Sequence, residues 1–95
     1  MEKKEALLHI QKEVTSHHIV LFMKGTPSHP KCGFSADATK RLKEAGITYK
    51  SVDVLSDPAL YDEVRQYTNY MHFPQMFVDG RFIGRSEERR VGKEC

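Results

Sequence analysis

Tryptophan is absent from this chain, cysteine occurs twice in 95 residues, and no apolar run is longer than Ile19 to Met23. A run that short excludes a membrane-spanning helix. Two cysteines, Cys32 and the terminal Cys95, are too few for a secreted disulfide framework and point to a reducing compartment. Cys32 is therefore expected as a free thiol or a ligand. The N-terminus MEKKEALLHIQKEV carries acidic residues and lacks the apolar core of a signal peptide, so the expected location is the cytoplasm. There is also little net charge. Fifteen Lys and Arg against thirteen Asp and Glu leave +2, interleaved rather than gathered into a stripe, which argues against nucleic acid as a partner. What is present, 39% hydrophobic and 29% charged residues, suits one ordinary globular domain without repeats.

Leu7, Ile10 and Val14 recur at helical spacing and predict an amphipathic helix over residues 3–16. IVLFM, rich in β-formers and without polar alternation, predicts a strand buried on both faces. Phe34, Ala38 and Leu42 mark a helix from Gly33 to Ala45 that stops at Gly46. TYKSVDV at 48–54 is the next strand. Asp57 is placed as N-cap and Pro58 at the first position of a helix continued by Leu60, Val64 and Tyr67. QMFV and RFIG flank Asp79-Gly80, a type I′ hairpin signal. The order is α, β, α, β, α, β, β, with a βαβ unit after the first helix, and the class is α/β.

Residues 24–35 read KGTPSHPKCGFS. A glycine- and proline-rich loop delivers Cys32 to a helix start, where unpaired N–H groups and the helix dipole favour a thiolate, helped by Lys24 and Lys31. A lone cysteine is most often a small buried hydrophobe, but a loop of this kind is exposed. Ser35 fills the place of a second cysteine, so the motif has one sulfur and no partner with which to resolve a mixed disulfide.

K-G-T-P-x-x-P-x-C-G-F-S, F-P-Q some forty residues later and V-D-G-x-x-I-G resemble the monothiol, CGFS-type glutaredoxins, from the first helix to Gly84. The resemblance implies a thioredoxin-like (glutaredoxin) fold, with a four-stranded mixed sheet flanked by helices. It implies a [2Fe–2S] cluster shared across a homodimer, with Cys32 of each chain and the thiols of two glutathiones supplying the four sulfurs. Cys32 is then both the reactive residue and the metal ligand. Lys24 matches the lysine that meets the glycyl carboxylate of glutathione, and Phe73 the residue whose backbone pairs with its cysteinyl part. Pro74 matches a cis-proline holding that backbone open, and Gly84 belongs to the same glutathione site. A BolA-like protein and iron–sulfur acceptor proteins are the implied partners, and cluster transfer is the implied function. The alternative is a weak glutathione-dependent oxidoreductase working through Cys32 on glutathionylated substrates. The five residues TPSHP before Lys31, absent from dithiol glutaredoxins, favour the carrier.

Three departures stand out. Tyr61 occupies the place of an arginine that contacts a carboxylate in many members, with Arg65 one turn on. Tyr70, Met71 and His72 replace the usual W-P-T, and His72, like His9, His17, His18 and His29, is expected as a solvated side chain. Finally, the glutaredoxin domain is expected to span 1–84, with 85–95 a non-native tail in place of the closing C-terminal helix. That tail, RSEERRVGKEC, carries one aliphatic residue, Val91, and back-translates into a common short-read sequencing adapter. Met23, Met71 and Met76, and Tyr49, Phe22, Phe77 and Phe82, are expected in the core.

Overall fold

A computed structural model describes residues 1–83. Gly84, the tail 85–95 and the expectation about a closing helix lie outside the described residues. Helix α1 spans Lys3–Ser16, β1 Ile19–Met23, β2 Gly25–Thr26 and β3 His29–Pro30, followed by α2 at Gly33–Glu44 and β4 at Lys50–Asp53. A 3-10 turn at Val54–Ser56 leads to α3 at Pro58–Thr68, and β5 (Gln75–Val78) and β6 (Arg81–Phe82) close the order.

The main sheet runs β4-β1-β5-β6. β1 is parallel to β4, with Phe22 opposite Val52, and antiparallel to β5, with Val20 opposite Phe77. Because successive strand residues point to opposite faces, β1 serves two cores. Val20 and Phe22 join Ile10 and Val14 of α1, Leu60 and Val64 of α3, Phe73 and Phe77 on one face. Leu21 and Met23 meet Leu42 of α2 on the other, with Ala38, Tyr49 and Met76 packed around them. The phenyl rings of Phe22 and Phe77 meet edge to face at 5.5 Å, the arrangement their quadrupoles favour.

Local chemistry sets the boundaries. Glu5 accepts the Glu2 N–H at 2.9 Å and secures the start of α1. Asp57 caps α3 by accepting the Ala59 N–H at 2.9 Å, with Pro58 next, as expected. Its other carboxylate oxygen pairs with the Met1 ammonium at 3.0 Å, tying the starts of α1 and α3 together. Asp79 (φ 52°) and Gly80 (φ 80°) supply the two positive φ values of the β5–β6 turn.

Three details differ from the sequence expectations. Residues 24–31 contain a miniature hairpin, with Gly25 opposite Pro30 and Thr26 opposite His29. The strand expected over 48–54 is confined to 50–53, because Asp53 turns its carboxylate back to the Leu55 N–H at 2.8 Å and starts a 3-10 turn. The buried face of α2 is Ser35, Thr39 and Leu42 rather than Phe34, Ala38 and Leu42. Both hydroxyls are hydrogen-bonded, and this makes their burial tolerable.

Candidate functional site

Cys32 is the N-cap of α2, with extended backbone (φ −151°, ψ 147°), and its carbonyl accepts the Ala36 N–H at 3.0 Å. The residue is half-buried, and its side chain does not cap the helix.

Ser35 is wholly buried, and its hydroxyl accepts the Lys24 N–H at 3.1 Å. The Lys24 carbonyl accepts the Lys31 N–H at 2.9 Å, so the residue before Cys32 and the first turn of α2 are both bonded to the backbone of Lys24. Gly25 follows at φ +92°. A Cβ there would sit 2.5 Å from the His29 carbonyl oxygen and 2.9 Å from the Lys31 nitrogen, so no side chain fits the base of the hairpin. Asp53 accepts the Gly25 N–H at 2.9 Å with the same oxygen that holds Leu55, anchoring the loop to the end of β4. Sequence reasoning missed Asp53, although an Asp that ends a strand just before a turn is a recognisable signal.

The side chain of Lys24 points to a different element. Its Nζ lies 5.6 Å from the centre of the Tyr61 ring on α3, and Tyr61 packs against Phe73 with centroids 5.1 Å apart. The Phe73–Pro74 peptide is cis, as the resemblance implied. Phe73 buries its ring in the core, while its backbone lies outside the ladder, which begins at Gln75. Lys24 thus joins the Cys32 helix start, through its backbone, to the Phe73–Pro74 segment, through its side chain. Of the predicted site residues, Cys32, Lys24, Phe73 and Pro74 fall into this one connected set, and Gly84 lies outside the described residues.

Gln75 holds the segment from behind. Completely buried, it donates from Nε2 to the carbonyls of Tyr70 (2.8 Å) and His72 (3.1 Å). Three further histidines lie elsewhere: His9 and His17 flank Glu13 at 3.8 and 3.4 Å, and His18 meets Asp79 at 2.5 Å. No group of three His, Cys, Asp or Glu among the described residues is arranged to hold a metal ion. A groove of about 490 Å³ along the outer side of α2, walled by Pro27, Pro30, Lys40, Ile47 and Tyr49, involves none of the predicted site residues.

Comparison with known proteins assigns this arrangement. The Glutaredoxin family pattern matches residues 19–83. The chain belongs to the glutaredoxin family. Its relatives place it among the monothiol members. It is 41% identical over 75 residues to Glutaredoxin 4 of Escherichia coli K12, covering 79% of this chain and 65% of that protein. It is 39% identical to Glutaredoxin 4 of Pasteurella multocida, covering 84% and 73%. Against the chloroplastic monothiol glutaredoxin-S7 of rice it is 40% identical, covering 79% and 45%. The chain thus spans just under two thirds of the Escherichia coli glutaredoxin. Among solved structures, a buckwheat glutaredoxin in complex with glutathione superposes with a TM-score of 0.77 at 26% identity, covering 96% of this chain and 84% of that one. The reduced apo form of poplar GrxS14 gives 0.74 at 37% identity, covering 98% and 90%. The glutaredoxin fold and the four-stranded mixed sheet expected from the sequence are both present.

Proposed function

We propose that this monothiol glutaredoxin is a glutathione-dependent carrier of [2Fe–2S] clusters, acting in the cytoplasm. The cluster is its cargo. The observation that carries this reading is the fate of Ser35: a buried hydroxyl committed to the Lys24 N–H leaves the motif with one sulfur and no resolving group. A cluster needs four sulfur ligands, so two copies of Cys32 and two glutathione thiols make the set, and a homodimer forms around the cargo. Lys24 holds the glycyl carboxylate of each glutathione by a charge-assisted contact, while the backbone of Phe73, set by cis-Pro74, pairs with its cysteinyl part. A BolA-like protein and iron–sulfur acceptors are the partners to which the cluster passes. Anaerobic reconstitution with iron, sulfide and glutathione tests the reading. A coloured dimer carrying two glutathiones, lost in Cys32→Ser, is expected, and a colourless monomer under the same conditions would reject it.

A second reading is favoured by the place of Cys32 at the N-terminus of α2, where the helix dipole and unpaired N–H groups favour the nucleophilic thiolate. In that reading the Cys32 thiolate attacks the glutathione sulfur of a mixed disulfide and releases the substrate thiolate. A second glutathione thiolate then attacks the Cys32–glutathione disulfide, giving oxidised glutathione and restoring the Cys32 thiolate. Fast turnover of a glutathionylated peptide by the reduced protein would put this reading first.

A further inference from the structure

The groove along the outer side of α2 takes no part in the glutathione site. Pro27 and Pro30 of the hairpin before Cys32 line it together with Lys40 and Lys43 of α2, and Ile47 and Tyr49 complete the wall. Its volume of about 490 Å³ falls within the range of ligand-binding clefts. Every charged residue that lines it is a lysine. On α2 itself Asp37 pairs with Arg41 at 3.0 Å, and neither groove lysine enters an ion pair among the described residues. The apolar wall is held in place. Tyr49 packs on the cluster of Leu21, Met23 and Leu42, the Ile47 N–H donates to the Leu42 carbonyl at 3.0 Å, and the Gly46 N–H donates to that of Lys43 at 3.1 Å. Ile47 thus stays 39% exposed on a fixed turn. An aliphatic side chain left in water beside a preformed cleft, with charge of one sign at its edge, is the mark of an interaction surface.

We propose that this groove seats an extended segment of a partner protein in which acidic and apolar residues alternate. Lys40 and Lys43 stand at i,i+3 on α2, a spacing of about 5–6 Å between Cβ atoms. Acidic residues at alternate positions of an extended chain lie about 6.6 Å apart, so two of them meet the two ammonium groups. The residues between them turn the other way, onto the prolines, Ile47 and Tyr49. Anionic lipid surfaces are met by clusters of about 4–8 basic residues, and two lysines at the edge of a cleft fall short of that. Pro30 lies two residues before Cys32, so a partner held in the groove is held beside the loop that carries the sulfur. The surface serves a partner equally whether Cys32 carries a cluster or exchanges a disulfide.

Fluorescence anisotropy with the reduced full-length chain tests this. The probe is a labelled peptide, Asp-Leu-Glu-Phe-Asp-Leu-Glu, beside one control with Lys at each acidic position and another with Ser at each apolar one. The probe is expected to bind at least about tenfold more tightly than either control, and to weaken about threefold as salt rises from low to physiological strength. Lys40→Glu combined with Lys43→Glu should weaken it at least about tenfold, and Ile47→Ser about fivefold. Lys4→Glu combined with Lys12→Glu, an equal change of net charge at exposed positions of α1, should leave it unchanged. No binding at about 1 mM protein, controls that bind as well as the probe, or an α1 variant weakened as much as the groove variant would each overturn the proposal. Binding to phosphatidylserine vesicles without binding to the peptide would overturn it in favour of a membrane. Thermal unfolding checks each variant, and Lys40→Gln combined with Lys43→Gln, expected to weaken the probe about threefold, decides the matter if the charge-reversed protein does not fold.

Discussion

Among the described residues, the two faces of the sheet are unequal. On one, α1 and α3 cover a cluster of ten buried residues running from Ile10 to Phe77. On the other, α2 covers a cluster of three, Leu21, Met23 and Leu42. The richer face holds no reactive group, while the poorer one carries Cys32 at the head of its helix. The difference teaches that burial and chemistry are assigned to separate sides of β1, with the site at the end of the sheet where Lys24 and the Phe73–Pro74 segment reach both. Stability should therefore respond to the first face and ligand binding to the second.

The largest effect that could break this division is Phe77→Ala, which removes a buried ring shared by Phe22, Tyr67 and Phe82. A loss of about 3–5 kcal/mol is expected in urea unfolding, against about 2 kcal/mol for Leu42→Ala beneath α2. Equal losses would mean that the two faces contribute alike. Lys24→Gln should weaken glutathione binding by about 1 kcal/mol, discounted from the full charge-assisted value because the side chain is half-exposed. Its unfolding midpoint should stay where it was. Cys32→Ser should move the stability of the reduced chain by less than about 0.5 kcal/mol, since the residue is a half-buried N-cap that serine fills well. A larger drop in calorimetry would make Cys32 a packing residue.

The smallest effect is electrostatic. The hydrogen bond from the Met1 ammonium, then that from the Ala59 N–H, hold the Asp57 carboxyl below its ordinary 3.8, and the same bond to Asp57 raises the ammonium above its ordinary 8.0. A lowered acid stabilises the fold above its ordinary value, and that contribution disappears as pH falls through the lowered one. A raised ammonium stabilises below 8.0, and its contribution disappears as pH rises through the raised value. The pair is intact between these limits. Asp57→Asn should flatten the stability profile at both ends while leaving glutathione affinity unchanged.

Much of this was legible in the chain itself. Periodicity gave α1 at its observed bounds, and Asp57-Pro58 and Asp79-Gly80 placed a helix start and a turn because each uses local backbone chemistry. KGTP and CGFS pointed to Lys24 and Cys32, and F-P-Q, through the resemblance, to Phe73 and Pro74. What stayed hidden depends on contacts between distant segments. Ser35 looks like a missing cysteine until its hydroxyl is seen on Lys24, and Asp53 looks like a strand residue until it bonds Gly25. Tyr61 reads as a lost arginine, since sequence carries no trace of the two cations, Lys24 and Arg65, that gather on its ring.

Gln75 has a consequence for how the mouth of the site can vary. Its amide grips the carbonyls of Tyr70 and His72, groups that every amino acid possesses, so the path of residues 70–72 is written one strand downstream and not in their own side chains. That explains how Tyr-Met-His can stand where the resemblance leads one to expect Trp-Pro-Thr without disturbing the approach to Pro74. Met71, exposed at the surface, becomes an interchangeable part on a fixed mount. Randomising that position would vary the surface chemistry while the scaffold keeps its course, whereas a change at Gln75 would release the whole segment at once.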